Sequence, residues 1–277
     1  MTLTLTLQTQ PPARVRADGL IPERLHGLAA SDVARLTVRC GRQPLTLGDV
    51  FEVSGTGDEQ LVLAGDLRRV DGIGGSMSRG RVLVEGPCGD HAGTRMSGGE
   101  IVVRGDAGAW AGAEMAGGLL RIFGNAGARL GGAYPGARAG MTGGEIVVAG
   151  EAGEEAGAGM RRGLVAVGAR TESGAGLRML AGTVIALGGI GPEAGLGNKR
   201  GSLVSAEVVE PLPGYGFAAR FRPPALGMQL RRARELGLSV DDALLEGTWA
   251  RWSGDRTELG RGEILIFDGR KPDDSRR

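Results

Sequence analysis

Six methionines set the ruler for this chain. Met77, Met96, Met115, Met141, Met160 and Met179 follow one another at steps of 19, 19, 26, 19 and 19 residues, and one further step of 19 reaches Asn198. Three residues after each of these seven positions stands a glycine: Gly80, Gly99, Gly118, Gly144, Gly163, Gly182 and Gly201. Three residues before them glycine recurs in six of the seven cases, with Arg138 the exception because an insertion precedes Met141. After each glycine comes a short apolar run (RVLVEG, EIVVRG, LLRIFG, EIVVAG, LVAVG, TVIALG), in which Val82 and Val84, Ile101 and Val103, Leu120 and Ile122, Ile146 and Val148, Val165 and Val167, Val184 and Ala186 alternate with other residues. A period of two is the mark of a β-strand with one face turned inward. In the last repeat the pair becomes Leu203 and Ser205, where the array is expected to end, and LVLAG at 61–65 is a degenerate repeat that is expected to begin it.

Few folds fit a repeat this short and this rich in glycine. Glycine makes up 53 of the 277 residues, yet it lacks the strict third-residue period and the abundant proline of collagen. Disorder is excluded by 41% hydrophobic residues and a net charge of +1, which leave apolar surface to bury and little repulsion to oppose it. A βα repeat has no room for a helix among so many glycines. The expected fold is therefore all-β: a right-handed parallel β-helix, or solenoid, of about eight coils with a 19-residue repeat. Coils stacked at ~4.8 Å would make a rod about 38 Å long, with glycine supplying positive φ at the corners and methionine filling gaps in a narrow core.

The expected organisation is an N-terminal cap of strands at 1–55, a glycine-rich β-helix at 56–205, and a C-terminal capping and interaction segment with a short helix at 206–277. Residues 2–8, TLTLTLQ, alternate as an edge strand, and TLGDVFEVSG at 46–55 reads as one further strand. Pro223 and Pro224 precede, and Gly237 follows, a helix predicted over Ala225–Leu236; EILIFD at 263–268 reads as a strand that pairs back on the body. Leu83, Val102, Val147, Ile185 and Val204 form an outward column too apolar to face water. Either the capping segments or another protein must cover it.

Catalytic and ligand-binding signals are sparse. Net charge +1 and a pI of about 7.8 give no electrostatic case for nucleic acid or a membrane surface, and no apolar run approaches the ~20 residues of a membrane span. Two cysteines without a CxxC pair, and no secretory leader pattern, point to the cytoplasm. With only His26 and His91 in the chain, a multi-histidine metal site is excluded within it. Cys88, Asp90 and His91 in CGDHAG form the one compact polar cluster, read as turn capping because adjacent side chains on a tight turn diverge. GIGPEA at 189–194 matches a dinucleotide fingerprint, but no helix N-terminus follows to hold a pyrophosphate. No catalytic, cofactor-binding or metal-ligating residue is assigned. The 26-residue step is the informative irregularity: it inserts GAYPGAR, Gly132–Arg138, expected to project from one corner. Arg129, Tyr134, Pro135 and Arg138 are the interface candidates, since Tyr and Arg are enriched at interface hot spots and a Pro-Gly pair stiffens the loop.

The repeat M-x-G-G-x-[IV]-x-[IV]-x-G, seen in MSGGEIVVRGDAG and MTGGEIVVAGEAG, together with GAYPG, resembles the C subunit of formylmethanofuran dehydrogenase. The likeness spans about 56–205, and the overall size suits the bacterial branch, the C subunit of the formyltransferase/hydrolase complex of methylotrophs. That resemblance implies a non-catalytic scaffold in a cytoplasmic hetero-oligomer of one-carbon metabolism. Its partners would be a formyltransferase subunit, an amidohydrolase-like metal hydrolase subunit and a further subunit. In such a complex the formyl group passes from formyl-tetrahydromethanopterin to a methanofuran-type carrier and is then hydrolysed to formate, so carrier and metal are expected in the partner subunits and no cofactor in this one. Two alternatives from the same resemblance stay open: the C subunit of a molybdenum or tungsten formylmethanofuran dehydrogenase, and a structural module like the glycine-repeat domain of glutamate synthase. A free-standing β-helix enzyme on carbohydrate would need an outer acidic or basic cluster, whereas Glu100 and Glu145 stand two coils apart.

Overall fold

The computed structural model describes residues 2–269 and is mostly β with a few short helices. Thirteen strands form one mixed sheet and four a second, small one. The glycine-flanked runs supply the centre of the large sheet. Gln60–Ala64, Arg81–Val84, Glu100–Val103, Leu119–Ile122, Glu145–Val148, Leu164–Val167, Thr183–Ala186 and Ser202–Ser205 pair in parallel, each with the next. Their register is the sequence period: Leu61, Val82, Ile101, Leu120, Ile146, Val165, Val184 and Leu203 are successive partners. None of these is more than 1% exposed. A slip by one residue would turn the whole column to the other face, so the alternation itself pins the register.

Successive repeats also touch along two further rows. Leu67, Cys88, Ala107, Ala126, Ala152, Thr171 and Ile190 form consecutive parallel bridges. On the methionine side, the carbonyls of Met77, Met96, Met115, Met141, Met160 and Met179 accept hydrogen bonds from the N–H groups of Ser97, Ala116, Thr142, Arg161, Leu180 and Lys199. All six methionines are buried. The long step leaves these rows unbroken, because the chain leaves at Gly132 and is back in place where Met141 N–H bonds to the Gly131 carbonyl. Glycine at the turns is a steric demand as well as a conformational one: at Gly112, φ is +63° and an added Cβ would lie 2.3 Å from Cδ1 of Ile146.

The N-terminal end of the large sheet departs from the sequence expectation, whereas at the C-terminal end the strand read at 263–268 does pair back on the body. Leu3–Leu7 is not an edge strand, since it lies between Gln60–Ala64, parallel, and Phe51–Ser54, antiparallel. Phe51–Ser54 is the edge. Residues 46–55 are not one strand either: the N–H and Oγ1 of Thr46 donate to Oδ2 of Asp49 at 2.8 and 2.7 Å, and this capping box closes a 3-10 turn at Leu47–Asp49. The turn separates Gln43–Thr46, in the small sheet, from Phe51–Ser54 in the large one.

At the other end, pairing continues beyond Ser202–Ser205. Gly262–Phe267 adds in parallel with Leu203 opposite Ile264, then Trp249–Gly254 and Gly216–Phe221 follow antiparallel. The helix predicted over Ala225–Leu236 runs Pro224–Glu235, with Pro224 at its first position and Gly237 at φ +104° just past its end. Its Leu226, Leu230 and Ala233 pack on Val147, Ala166, Ile185, Val204, Trp249 and Leu265 in a second hydrophobic core. The chain's own C-terminal segment thus covers the outward column from Val147 onward, while Leu83 stays half-buried. The Arg232 guanidinium grips Glu145, Nε to Oε1 at 3.0 Å and Nη2 to Oε2 at 2.8 Å, which pins the helix to the sheet.

Candidate functional site

One corner of the repeats concentrates side chains in a backbone conformation that disfavours them. Gly72, His91, Trp110, Arg129, Glu155, Gly174 and Glu193 succeed one another by one repeat, and their φ values are 77, 66, 64, 60, 59, 75 and 58°. Glycine holds this left-handed region freely; each other residue there costs of order 1–3 kcal/mol. The array spends that energy where His91, Trp110, Arg129 and Glu155 line up on successive turns. Their rings and charges interlock: His91 lies parallel to Trp110 at 6.4 Å, Arg129 sits 4.8 Å from the Trp110 ring centre, and Arg129 Nη2 meets Glu155 Oε2 at 2.9 Å.

The insertion completes this cluster. Gly132–Arg138 does not simply project outward, because Tyr134 folds back onto the preceding repeats and stacks on Trp110 at 4.7 Å and 23°. Its hydroxyl is 2.6 Å from Nδ1 of His91 and 3.2 Å from Oγ1 of Thr94, and Arg95 lies 5.6 Å from its ring centre. Partial burial raises the phenol pKa, against the lowering pull of Thr94 and Arg95, so the hydroxyl stays protonated. Pro135 and Arg138 at the tip remain exposed. The result is an interlocked aromatic and arginine platform flanked by two clefts. One, of about 430 Å³, runs between the loop and Arg129, Arg178 and Lys199; the other, of about 480 Å³, is walled by Arg16, Arg24, Arg95, His91 and Tyr134.

The remaining sequence candidates do not converge. Cys88 faces the core, where burial pushes its thiol up to about 12. Asp90 serves the backbone: its Oδ1 accepts from the Ala109 N–H at 2.9 Å, as Asp71 Oδ1 does from Asp90 and Asp106 Oδ1 from Asn125. His91 turns instead to Tyr134. Gly189–Ala194 continues the turn pattern with Gly189 at φ +101° and Glu193 at +58°, and no helix follows before Pro224. Among the described residues no group of three or more His, Cys, Asp or Glu side chains could hold a metal ion. Trp110 and Thr94 were missed in the sequence. The signal for Trp110 was present, since His91, Trp110 and Arg129 stand at steps of 19 and Glu155 follows at the 26-residue step.

No protein-family model matches the chain. A solved structure does: the X-ray crystal structure of the formyltransferase/hydrolase complex (FhcABCD) from Methylorubrum extorquens with methylofuran holds a chain that superimposes with a TM-score of 0.88 at 36% identity, covering 95% of this chain and 98% of that one. The chain belongs to the C-subunit family of formyltransferase/hydrolase complexes. Local sequence similarity to this family is concentrated in shorter stretches. The C subunit of the formyltransferase/hydrolase complex Fhc of the same organism is 40% identical over 86 residues, 31% of this chain and 32% of that protein. The C subunit of molybdenum-containing formylmethanofuran dehydrogenase 1 of Methanosarcina barkeri is 39% identical over 83 residues, 28% of each. Those aligned stretches therefore span a third or less of the relatives' own length. The structural relative is one subunit of a multi-subunit complex. No helix among the described residues is long and apolar enough to cross a membrane.

Proposed function

We propose that this chain is the scaffold subunit of a formyltransferase/hydrolase complex, without catalytic residues of its own. The observation that carries the reading is the match, nearly end to end, to a chain of the solved complex. Three inter-repeat rows around each unit support a right-handed parallel β-helix at 56–205, capped by 1–55 and 206–277; residues 270–277 lie outside the described residues. In this reading a formyltransferase subunit moves the formyl group from formyl-tetrahydromethanopterin to a methanofuran-type carrier. An amidohydrolase-like metal subunit releases formate, the assembly holds one further subunit, and the complex works in the cytoplasm. Carrier and metal belong to those partners. The docking element is the platform carrying Arg129, Tyr134, Pro135 and Arg138, since its stacked core is already assembled in the lone chain and Pro135 and Arg138 at its tip are exposed.

Deleting Gly132–Arg138 restores the 19-residue step, so the variant folds as the full chain does but loses co-purifying subunits or affinity for them. Full assembly and formyl-transfer activity with the deleted chain would refute the docking role. The similarity to the molybdenum enzyme supports a second reading, the C subunit of a formylmethanofuran dehydrogenase. Formate release without any redox acceptor by the co-purified complex selects the first.

A further inference from the structure

A second surface of the array carries charge that the fold does not use. The two positions after Met160, Met179 and Asn198 stack into neighbouring columns, Arg161, Leu180 and Lys199 in one, Arg162, Ala181 and Arg200 in the next, with the N–H groups of Arg161, Leu180 and Lys199 bonded to the carbonyls of Met141, Met160 and Met179. Together with Leu259, which is 59% exposed, they line a cleft of about 530 Å³. Arginines on the strands commonly have an acid partner, as in Arg81–Glu100, Arg220–Asp268 and Arg251–Glu263. Here Arg161, Arg162 and Arg200 are exposed and make no ion pair or side-chain hydrogen bond among the described residues, while Lys199 pairs with Glu258 at 3.5 Å. The three unpaired guanidinium groups repel one another and gain nothing for the fold, whereas Lys199 is partly neutralised by Glu258. In a chain whose net charge is +1, this is a local surplus.

We propose that this cleft docks an extended acidic segment of a partner polypeptide. Charge complementarity selects the acid, and the spacing selects the extended chain. Cations on alternate repeats stand about 9.6 Å apart at ~4.8 Å per repeat, close to one three-residue turn of an extended polyproline II chain at ~3.1 Å per residue, which brings every third side chain to the same face. Carboxylates three residues apart therefore meet Arg161 and Lys199, or Arg162 and Arg200, while an apolar side chain between them lies on Leu180 and Leu259. Arginine guanidinium groups take such carboxylates in two-point hydrogen bonds. The surface adjoins the cleft beside the tyrosine loop, sharing Leu180 and Lys199 with it, but its three arginines lie outside that cleft, and the proposal does not depend on which complex the chain serves.

The test uses the full chain and a synthetic 12-residue peptide with Glu at every third position, Leu between, and Gly and Ser elsewhere, against the same peptide with Gln for Glu. Titration calorimetry should show binding of the Glu peptide alone, weakening steeply between about 50 and 300 mM salt. The triple variant R161E/R162E/R200E should bind at least tenfold more weakly with an unchanged melting temperature, and R161Q/R162Q/R200Q should fall between. Equal binding of the two peptides, or an unaffected charge-reversed variant, overturns the proposal. So does inorganic tripolyphosphate displacing the peptide with equal affinity, since that marks a general anion site. In the co-purified complex, the charge-reversed chain should dissociate at lower salt than wild type, and identical salt resistance counts against the proposal. A chain that binds the Glu peptide but co-purifies with no formyltransferase-type partner loses the subunit reading and keeps this one.

Discussion

Cys88 and His91 stand three residues apart on one turn, and the fold sends them to opposite fates. The Cys88 thiol joins the buried inter-repeat row that runs from Leu67 to Ile190, where burial first, and the carboxylates of Asp71, Asp90 and Asp106 after it, push its pKa to about 12 from an ordinary 9.0, against the lowering effect of the Gly108 N–H. The sign for stability follows. Below pH 9 the thiol is neutral in both states and burial is unopposed. As pH rises from about 9 towards 12 the unfolded chain alone loses the proton, so stability falls. The melting temperature should drop above pH 9, and Cys88→Ala should flatten that drop; in the native protein at pH 8 the thiol should resist alkylation that proceeds freely in denaturant. Identical pH profiles for the two proteins would refute it. The inward column from Val82 to Val184 was legible from the period of two, whereas Cys88, read with Asp90 and His91 as turn capping, faces the core. The His91–Tyr134 contact was not legible, because it joins residues 43 apart through an inserted loop whose path no periodicity encodes.

Elements were legible where local chemistry brackets them and illegible where pairing decides. Pro223, Pro224 and Gly237 delimit the helix to within one residue at each end. TLTLTLQ reads the same whether its strand has one neighbour or two, so nothing in it announced that Phe51–Ser54 would pair on its outer side. The helix itself is a lid. Leu230 is fully buried and faces a column of Val147, Ala166, Ile185 and Val204 that would otherwise meet water. Leu230→Asp should lower stability by about 3 kcal/mol, the loss of a buried leucine plus part of its neighbours' burial. It should also raise the binding of an apolar dye, as the helix swings off the sheet with only the polar ties of Arg232 to Glu145 and Gln229 to Thr183 left to hold it. A variant with wild-type melting and no dye binding would show that the helix does not seal this face.

For the whole molecule, the question is what stops a stack of like repeats from growing. Each repeat ends in open backbone groups that match the next, so an unfinished array is a template for another chain. The last repeat changes composition to meet a closure: Asn198 replaces methionine and holds Gly201 through both its amide oxygen and nitrogen, at 2.7 and 2.9 Å. Tyr215 then bonds the Gly195 carbonyl at 2.9 Å, Asp255 takes the Gly197 N–H at 3.2 Å, and Gly262–Phe267 occupies the exposed edge of Ser202–Ser205. Truncation after Ser205 removes the lid and the closure together, whereas Leu230→Asp removes the lid alone. The two variants therefore separate the hydrophobic face from the open edge. Light scattering after gel filtration should find the truncated chain in large oligomers while Leu230→Asp keeps the size of the wild type, because its edge is still paired. If the truncated chain keeps the wild-type oligomeric state, edge closure is not what limits the stack, and if Leu230→Asp polymerises equally, the apolar face alone drives association.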